Sequence, residues 1–114
     1  MEVKSEDYVV IYDAEVETIY FQGILRLSGA GEYDPIITIL NQALDNAPDQ
    51  LTLDLQKLEF LNSSGINMLS KFVIKVRQHN QMKLVVKGSK DIPWQGKSLK
   101  NLERLMPGLQ LGIE

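Results

Sequence analysis

The stretch from 51 to 76, LTLDLQKLEFLNSSGINMLSKFVIKV, restricts the fold more than any other part of the chain. Leu51, Leu53 and Leu55 alternate with Thr52 and Asp54, the period of a strand with one apolar face. Past a short polar turn the period changes: Ile66, Leu69, Phe72, Val73 and Val76 fall on one stripe of a helix. A strand that feeds a helix packing back on it belongs to a parallel crossover, and such crossovers are right-handed.

The same alternation of periods extends to both sides. Residues 8–14 (YVVIYDA) and 18–27 read as strands rich in β-branched and aromatic residues, joined closely enough for an antiparallel hairpin without an Asn-Gly or Asp-Gly signal. Residues 1–7 are polar and are expected to fray. Ser28-Gly29-Ala30-Gly31 reads as a break. Asp34 before Pro35 then suggests the start of a helix carrying Ile36, Ile39, Leu40, Ala43, Leu44 and Ala47. Asn80 is a candidate end for the following helix. Residues 82–87 form another strand, 88–96 a loop, and Ser98 a candidate cap for a last helix bearing Leu99, Leu102, Leu105 and Met106. Residues 109–113 suit a final short strand. The expected order is β-β-α-β-α-β-α-(β), a single α/β domain over 1–114 whose mixed sheet carries helices mainly on one face.

Composition narrows the function. With no cysteine and one histidine, His79, thiolate chemistry and disulfides are excluded, and a metal site would rest on carboxylates without calcium-loop spacing. A net charge of −3 argues against nucleic acid and anionic membranes as partners. No leader pattern or spanning segment is evident, so a cytoplasmic protein is expected. Acidic residues crowd the start of the chain and lysines its later half; this reads as a solvated surface, or as steering charge for a partner.

The turn Asn62-Ser63-Ser64-Gly65 is where polar side chains gather between two apolar elements. Asn62, Ser63 or Ser64 can cap the helix that starts near Gly65, a role worth ~1 kcal/mol. His79 lies more than ten residues along that helix, ~20 Å from the serines at ~1.5 Å per residue, which rules out a Ser-His dyad.

Leu53-Asp54-Leu55, Leu58, Phe60-Leu61-Asn62-Ser63-Ser64-Gly65-Ile66, together with Met106-Pro107-Gly108-Leu109, resembles the signature of STAS domains, the family of anti-sigma factor antagonists. The resemblance implies a STAS-like mixed sheet and a non-catalytic regulatory module, a bacterial signalling phosphoprotein that needs no cofactor. Its implied partners are a serine kinase acting as anti-sigma factor or a similar regulator, and a PP2C-type phosphatase. Ser63 takes the phosphorylated position, with Ser64 adjacent. Asn62, Ser63, Ser64, Gly65 and Met68 form the implied partner surface. Met68 and Ile74 flank the apolar stripe of their helix, so at least one is expected to be partly exposed. Asn62 departs from the family pattern, which carries aspartate there. A constitutive scaffold without phosphorylation is the first alternative.

The second alternative is weak nucleotide binding by Asp91-Ile92-Pro93-Trp94-Gln95-Gly96-Lys97-Ser98, which ends like a phosphate-binding loop. Asp91 stands in place of its first glycine, and Pro93 removes a backbone donor. Trp94 reads as a lid on the end of the core, or as a binding hot spot.

Overall fold

The computed structural model describes residues 1–79 and 82–114. Six strands lie side by side in sequence order: β1 Glu2–Lys4, β2 Tyr8–Asp13, β3 Thr18–Leu25, β4 Gln50–Leu61, β5 Lys83–Gly88 and β6 Gln110–Ile113. β1, β2 and β3 pair antiparallel, and β3 through β6 pair parallel. The parallel half is connected by α1 Gly29–Asp45, α2 Ser63–Arg77 and α3 Gln95–Leu105. Each crossover steps the same way along the sheet, and right-handed crossovers of one direction put every helix on one face. α1 packs on α2, and α2 on α3. The core fills the space between, with Ile19, Phe21, Leu53, Leu55, Leu84 and Val86 from the sheet meeting Ile36, Leu40, Leu69, Val73 and Leu99 from the helices. No helix among the described residues is long and apolar enough to cross a membrane.

The mixed sheet with helices on one face is as the sequence predicts; several boundaries differ, each for a physical reason. Glu2–Lys4 is not frayed but forms an edge strand against β2. It is short and charged, the usual means of keeping an edge from pairing further. The hairpin closes without a signature turn because Asp13 Oδ1 accepts from the Glu15 N–H at 3.0 Å, and Glu17 takes φ 48° where glycine would be easier.

α1 begins at Gly29, so Asp34 is not its cap and Pro35 lies in its second turn. Proline there removes the bond to the Gly31 carbonyl. Both residues are exposed, which leaves that carbonyl to solvent. The first turn is held by the Ser28 N–H donating to the Glu32 carboxylate.

β4 runs well past the alternating LTLDL segment. Tyr20 pairs with Asp54 but Gln22 with Lys57, and Gly23 pairs with Leu58 but Ile24 with Phe60. Each shift is a bulge that adds one residue to β4. The inward positions therefore change from a spacing of two to a spacing of three, and Leu51, Leu53, Leu55, Leu58 and Leu61 are all buried. Gly23 sits beside these bulges at φ 95°, and a Cβ there would lie 2.2 Å from the Asp7 carbonyl oxygen.

β5 pairs with β4 only as far as Asp54, so the carbonyls of the bulged half lack a strand on that side. Gln95 fills the gap. Fully buried, it donates through Nε2 to the Leu55 and Leu58 carbonyls at 2.6 and 3.0 Å, while its Oε1 accepts from the Ser89 N–H at 2.7 Å. α3 starts at Gln95, so Ser98 lies inside it instead of capping it. The expected helix end at Asn80 lies outside the described residues.

Replacing Gln95 with alanine takes the side-chain partner from the Leu55 carbonyl and the Ser89 N–H and leaves the Leu58 carbonyl with Trp94 Nε1 alone, and we expect a loss of about 2–4 kcal/mol. Urea unfolding of Gln95→Ala measures it, against Ser98→Ala as a control expected to stay within about 0.5 kcal/mol.

Candidate functional site

The ends of β3 and β4 and the beginnings of α1 and α2 meet at the turn after β4. Asn62 is the N-cap of α2, with an extended backbone (φ −78°, ψ 175°). Its Oδ1 accepts from the Gly65 N–H at 3.0 Å and from the Tyr33 hydroxyl at 2.6 Å. Its Nδ2 donates to the Leu27 carbonyl at 2.8 Å. The Gly65 amide can only donate and the Leu27 carbonyl can only accept, so these two backbone groups fix the orientation of the side-chain amide. Aspartate would keep the cap but oppose a carboxylate oxygen to the Leu27 carbonyl. The departure from the family pattern thus has a local cause: this turn requires a donor as well as an acceptor.

Gly65 has an equally definite role. A Cβ on it would lie 2.2 Å from Leu61 Cδ1 and 2.7 Å from the Tyr33 hydroxyl. Glycine gives the clearance that lets Tyr33 cross from α1 to reach Asn62. Tyr33 itself is 1% exposed. Burial raises its pKa above the ordinary 10.0, partly offset by the Leu27 backbone.

Asn62 and Gly65 therefore account for the structure of the turn, and the two serines do not. Ser63 is the first residue of α2 and is exposed; Ser64 is half-buried. Capping, one of the roles open to Ser63 and Ser64 from the sequence, is taken by Asn62. The amides of Ser63 and Ser64 lie in the first turn, where the helix offers no acceptor, and the dipole makes this end electropositive. An anion on the Ser63 hydroxyl would be adjacent to that end.

Of the other residues singled out from the sequence, Met68 is 6% exposed and lines a groove between α1 and α2. Ile74 is the partly exposed member of that pair. His79 lies past the far end of α2, its Nδ1 3.0 Å from the Lys75 carbonyl, remote from Ser63. Trp94 packs on the core and donates through Nε1 to the Leu58 carbonyl at 3.2 Å, beside Gln95. In the segment resembling a phosphate loop, the amides of Asp91, Ile92 and Gln95 donate to Ser89 Oγ, the Ser89 carbonyl and the Ile92 carbonyl. Those three donors are therefore engaged by local acceptors.

Tyr33 and Gln95 carry the main hydrogen bonds of this end of the molecule, yet sequence reasoning missed both. Tyr33 stands three residues before Ile36 and seven before Leu40, on the apolar stripe of α1; a helix begun at Pro35 hides that spacing. The contact between Arg26 and Phe60 was not foreseen either. The guanidinium carbon lies 5.6 Å from the centre of the Phe60 ring, and Phe60 is 41% exposed two residues before the cap.

No family model and no curated protein sequence matches the chain. Solved structures do match. A chain in the crystal structure of the diguanylate cyclase SiaD in complex with its activator SiaC, from Pseudomonas aeruginosa, aligns with a TM-score of 0.75 at 13% identity, covering 100% of this chain and 99% of that one. Apo-SiaC from the same organism gives 0.75 at 14% identity, with 100% and 98% covered. An anti-sigma factor antagonist from Mycobacterium paratuberculosis gives 0.57 at 17% identity, with 96% and 82% covered. By fold, the chain is a STAS-like domain.

Two measurements probe the turn. Asn62→Ala removes the cap and strands a buried hydroxyl, for an expected cost of about 2–4 kcal/mol. Tyr33→Phe costs about 1 kcal/mol, and the double variant costs less than the sum, read by urea unfolding. Because the folded pKa of Tyr33 is raised, its contribution to stability is intact below pH 10 and is lost as pH rises from there through the folded value. Wild type should therefore lose more stability than Tyr33→Phe above pH 10.

Proposed function

We propose that this domain is a non-catalytic regulatory binding module of the bacterial cytoplasm whose partner is selected by phosphorylation of Ser63. The observation that carries the reading is the division of labour in Asn62-Ser63-Ser64-Gly65. The fold uses the asparagine and the glycine, and leaves the Ser63 hydroxyl exposed on the first turn of α2.

The physics of a switch is available there. A phosphoserine adds about −1.5 to −2 charges at neutral pH. Next to the electropositive end of α2 the charge costs the fold little, since the dipole and the first-turn amides favour an anion. A partner surface built against a neutral hydroxyl meets that same charge with repulsion and with the cost of desolvating it. Modification thus changes binding without changing folding. Asn62 assists, because a neutral cap adds no like charge beside the phosphate.

The names of the similar structures support the coarser part of this reading. SiaC is described as the activator of a diguanylate cyclase with which it forms a complex, and the mycobacterial protein as an anti-sigma factor antagonist. Both descriptions are of proteins that act through another protein. The reactions implied at Ser63 are phosphoryl transfer from ATP by a serine kinase, itself a regulator of the anti-sigma type, and hydrolysis by a PP2C-type phosphatase. Both belong to the partners, and this chain supplies the hydroxyl.

Baits carrying Ser63→Ala and Ser63→Asp, used in parallel pull-downs from the native cell, test the proposal. We expect Ser63→Ala to retain a partner that Ser63→Asp loses by about tenfold or more, as like-charge contacts at an interface require. Both variants should unfold within about 0.5 kcal/mol of wild type, because the position is exposed and the cap is elsewhere. Equal capture by the two baits contradicts the switch and leaves a constitutive scaffold.

A further inference from the structure

Between α1 and α2 the helix layer is not closed. A groove of about 230 Å³ is lined by Ile37, Leu40, Asn41, Met68, Lys71, Phe72 and Lys75. Leu40, Met68 and Phe72 are buried and make its floor, while Lys71 and Lys75 are exposed on its rim. Among the described residues, no carboxylate lines it. The Lys75 ammonium is held at 2.9 Å by Asn41 Oδ1, a neutral acceptor that positions the charge without cancelling it. On a chain whose net charge is −3, this is a local reversal of sign over an apolar floor.

Size and charge define the occupant. The volume falls below the roughly 300–1,000 Å³ of small-molecule sites, and suits one or two large side chains. Lys71 and Lys75 are one turn apart, about 6 Å along α2, matching two acids one turn apart on another helix. Met68 gives a floor that adapts to differently shaped anchors.

We propose that this groove docks an acidic amphipathic helix of the partner protein, seating one or two Leu or Phe anchors over Met68 and Phe72 and pairing its carboxylates with Lys71 and Lys75. This assignment rests on the reading of the chain as a regulatory binding module and supplies the chemistry of its partner. Lys71 and Lys75 are eight and twelve residues beyond Ser63, about 12 and 18 Å along the helix axis, so carboxylates paired with them lie beyond the Debye length of ~8–10 Å from a phosphate on Ser63, and the groove works independently of that charge.

The four methionines, Met1, Met68, Met82 and Met106, give a site-resolved readout. The full chain is labelled with ¹³C-methyl methionine and titrated with a capped sixteen-residue helical peptide carrying Leu and Phe on one stripe and Glu on both flanks. A matched peptide with Lys in place of Glu serves as the comparison. We expect the acidic peptide to shift the Met68 methyl and leave Met82 and Met106 in place, with affinity falling about tenfold or more in the double variant Lys71→Glu, Lys75→Glu. The basic peptide should bind that variant better than it binds wild type. Both lysines are exposed, and unchanged Met82 and Met106 signals confirm that the variant is folded. No Met68 shift up to millimolar peptide, or equal shifts from the two peptides, overturns the groove assignment.

The two proposals separate cleanly. A Met68 response with equal capture by the Ser63 baits keeps the groove and removes the switch. Different capture with a silent Met68 keeps the switch and removes the groove.

Discussion

One side chain joins the parts of this fold that bear on function. Asn62 accepts from the Gly65 amide and the Tyr33 hydroxyl and donates to the Leu27 carbonyl. Those four residues come from α2, α1, the segment leaving β3, and the cap itself. The start of α2 is thereby held against the start of α1 and the end of β3, in a place where a helix terminus would otherwise rely on water. The demands on the side chain are strict: an acceptor with two free directions and a donor on the same short stem. Only asparagine meets them at this length, since aspartate lacks the donor and serine has too few atoms. Gly65 completes the arrangement by leaving room for the tyrosine.

A second polar device stabilises the bulged half of β4. The bulges let Leu55, Leu58 and Leu61 all face inward, but they carry the strand beyond the reach of β5. Gln95 and Trp94 then supply the donors that a neighbouring strand would have given. The cap at one end of β4 and the clamp along its flank hold the strand that delivers Ser63. For the proposed switch, a strand held in this way would keep the hydroxyl in place with or without a charge, so that a partner would read charge and not a rearranged loop.

Much of this was legible in the sequence, and what was not had physical reasons. Period two up to Leu55 and period 3.6 from Ile66 placed the crossover, and from it the one-sided helix layer followed. β4 was read too short because its bulges change the inward spacing from two to three, which resembles neither a strand nor a regular helix. α1 was begun at Pro35 because a helix start is what Asp-Pro ordinarily marks; in the fold the residues before it are held by Glu32 and by Tyr33, whose partner Asn62 is 29 residues away. Gln95 was unreadable for the same reason: its acceptors are 40 and 37 residues distant. Local patterns reveal faces and turns, whereas long-range hydrogen bonds leave no periodic trace. At the turn, four residues were visible as a group, but only the three-way bonding of Asn62 separated the two with structural work from the serines without it.

The central claim is that the Ser63 hydroxyl exists to be modified. Its most direct test is site-localised mass spectrometry of the intact chain purified from its native cells across growth conditions. The account predicts a fraction heavier by one phosphate, with fragment ions assigning it to Ser63 and removal by a PP2C-type phosphatase. A chain unmodified in every condition, or phosphorylated only at other positions, contradicts it.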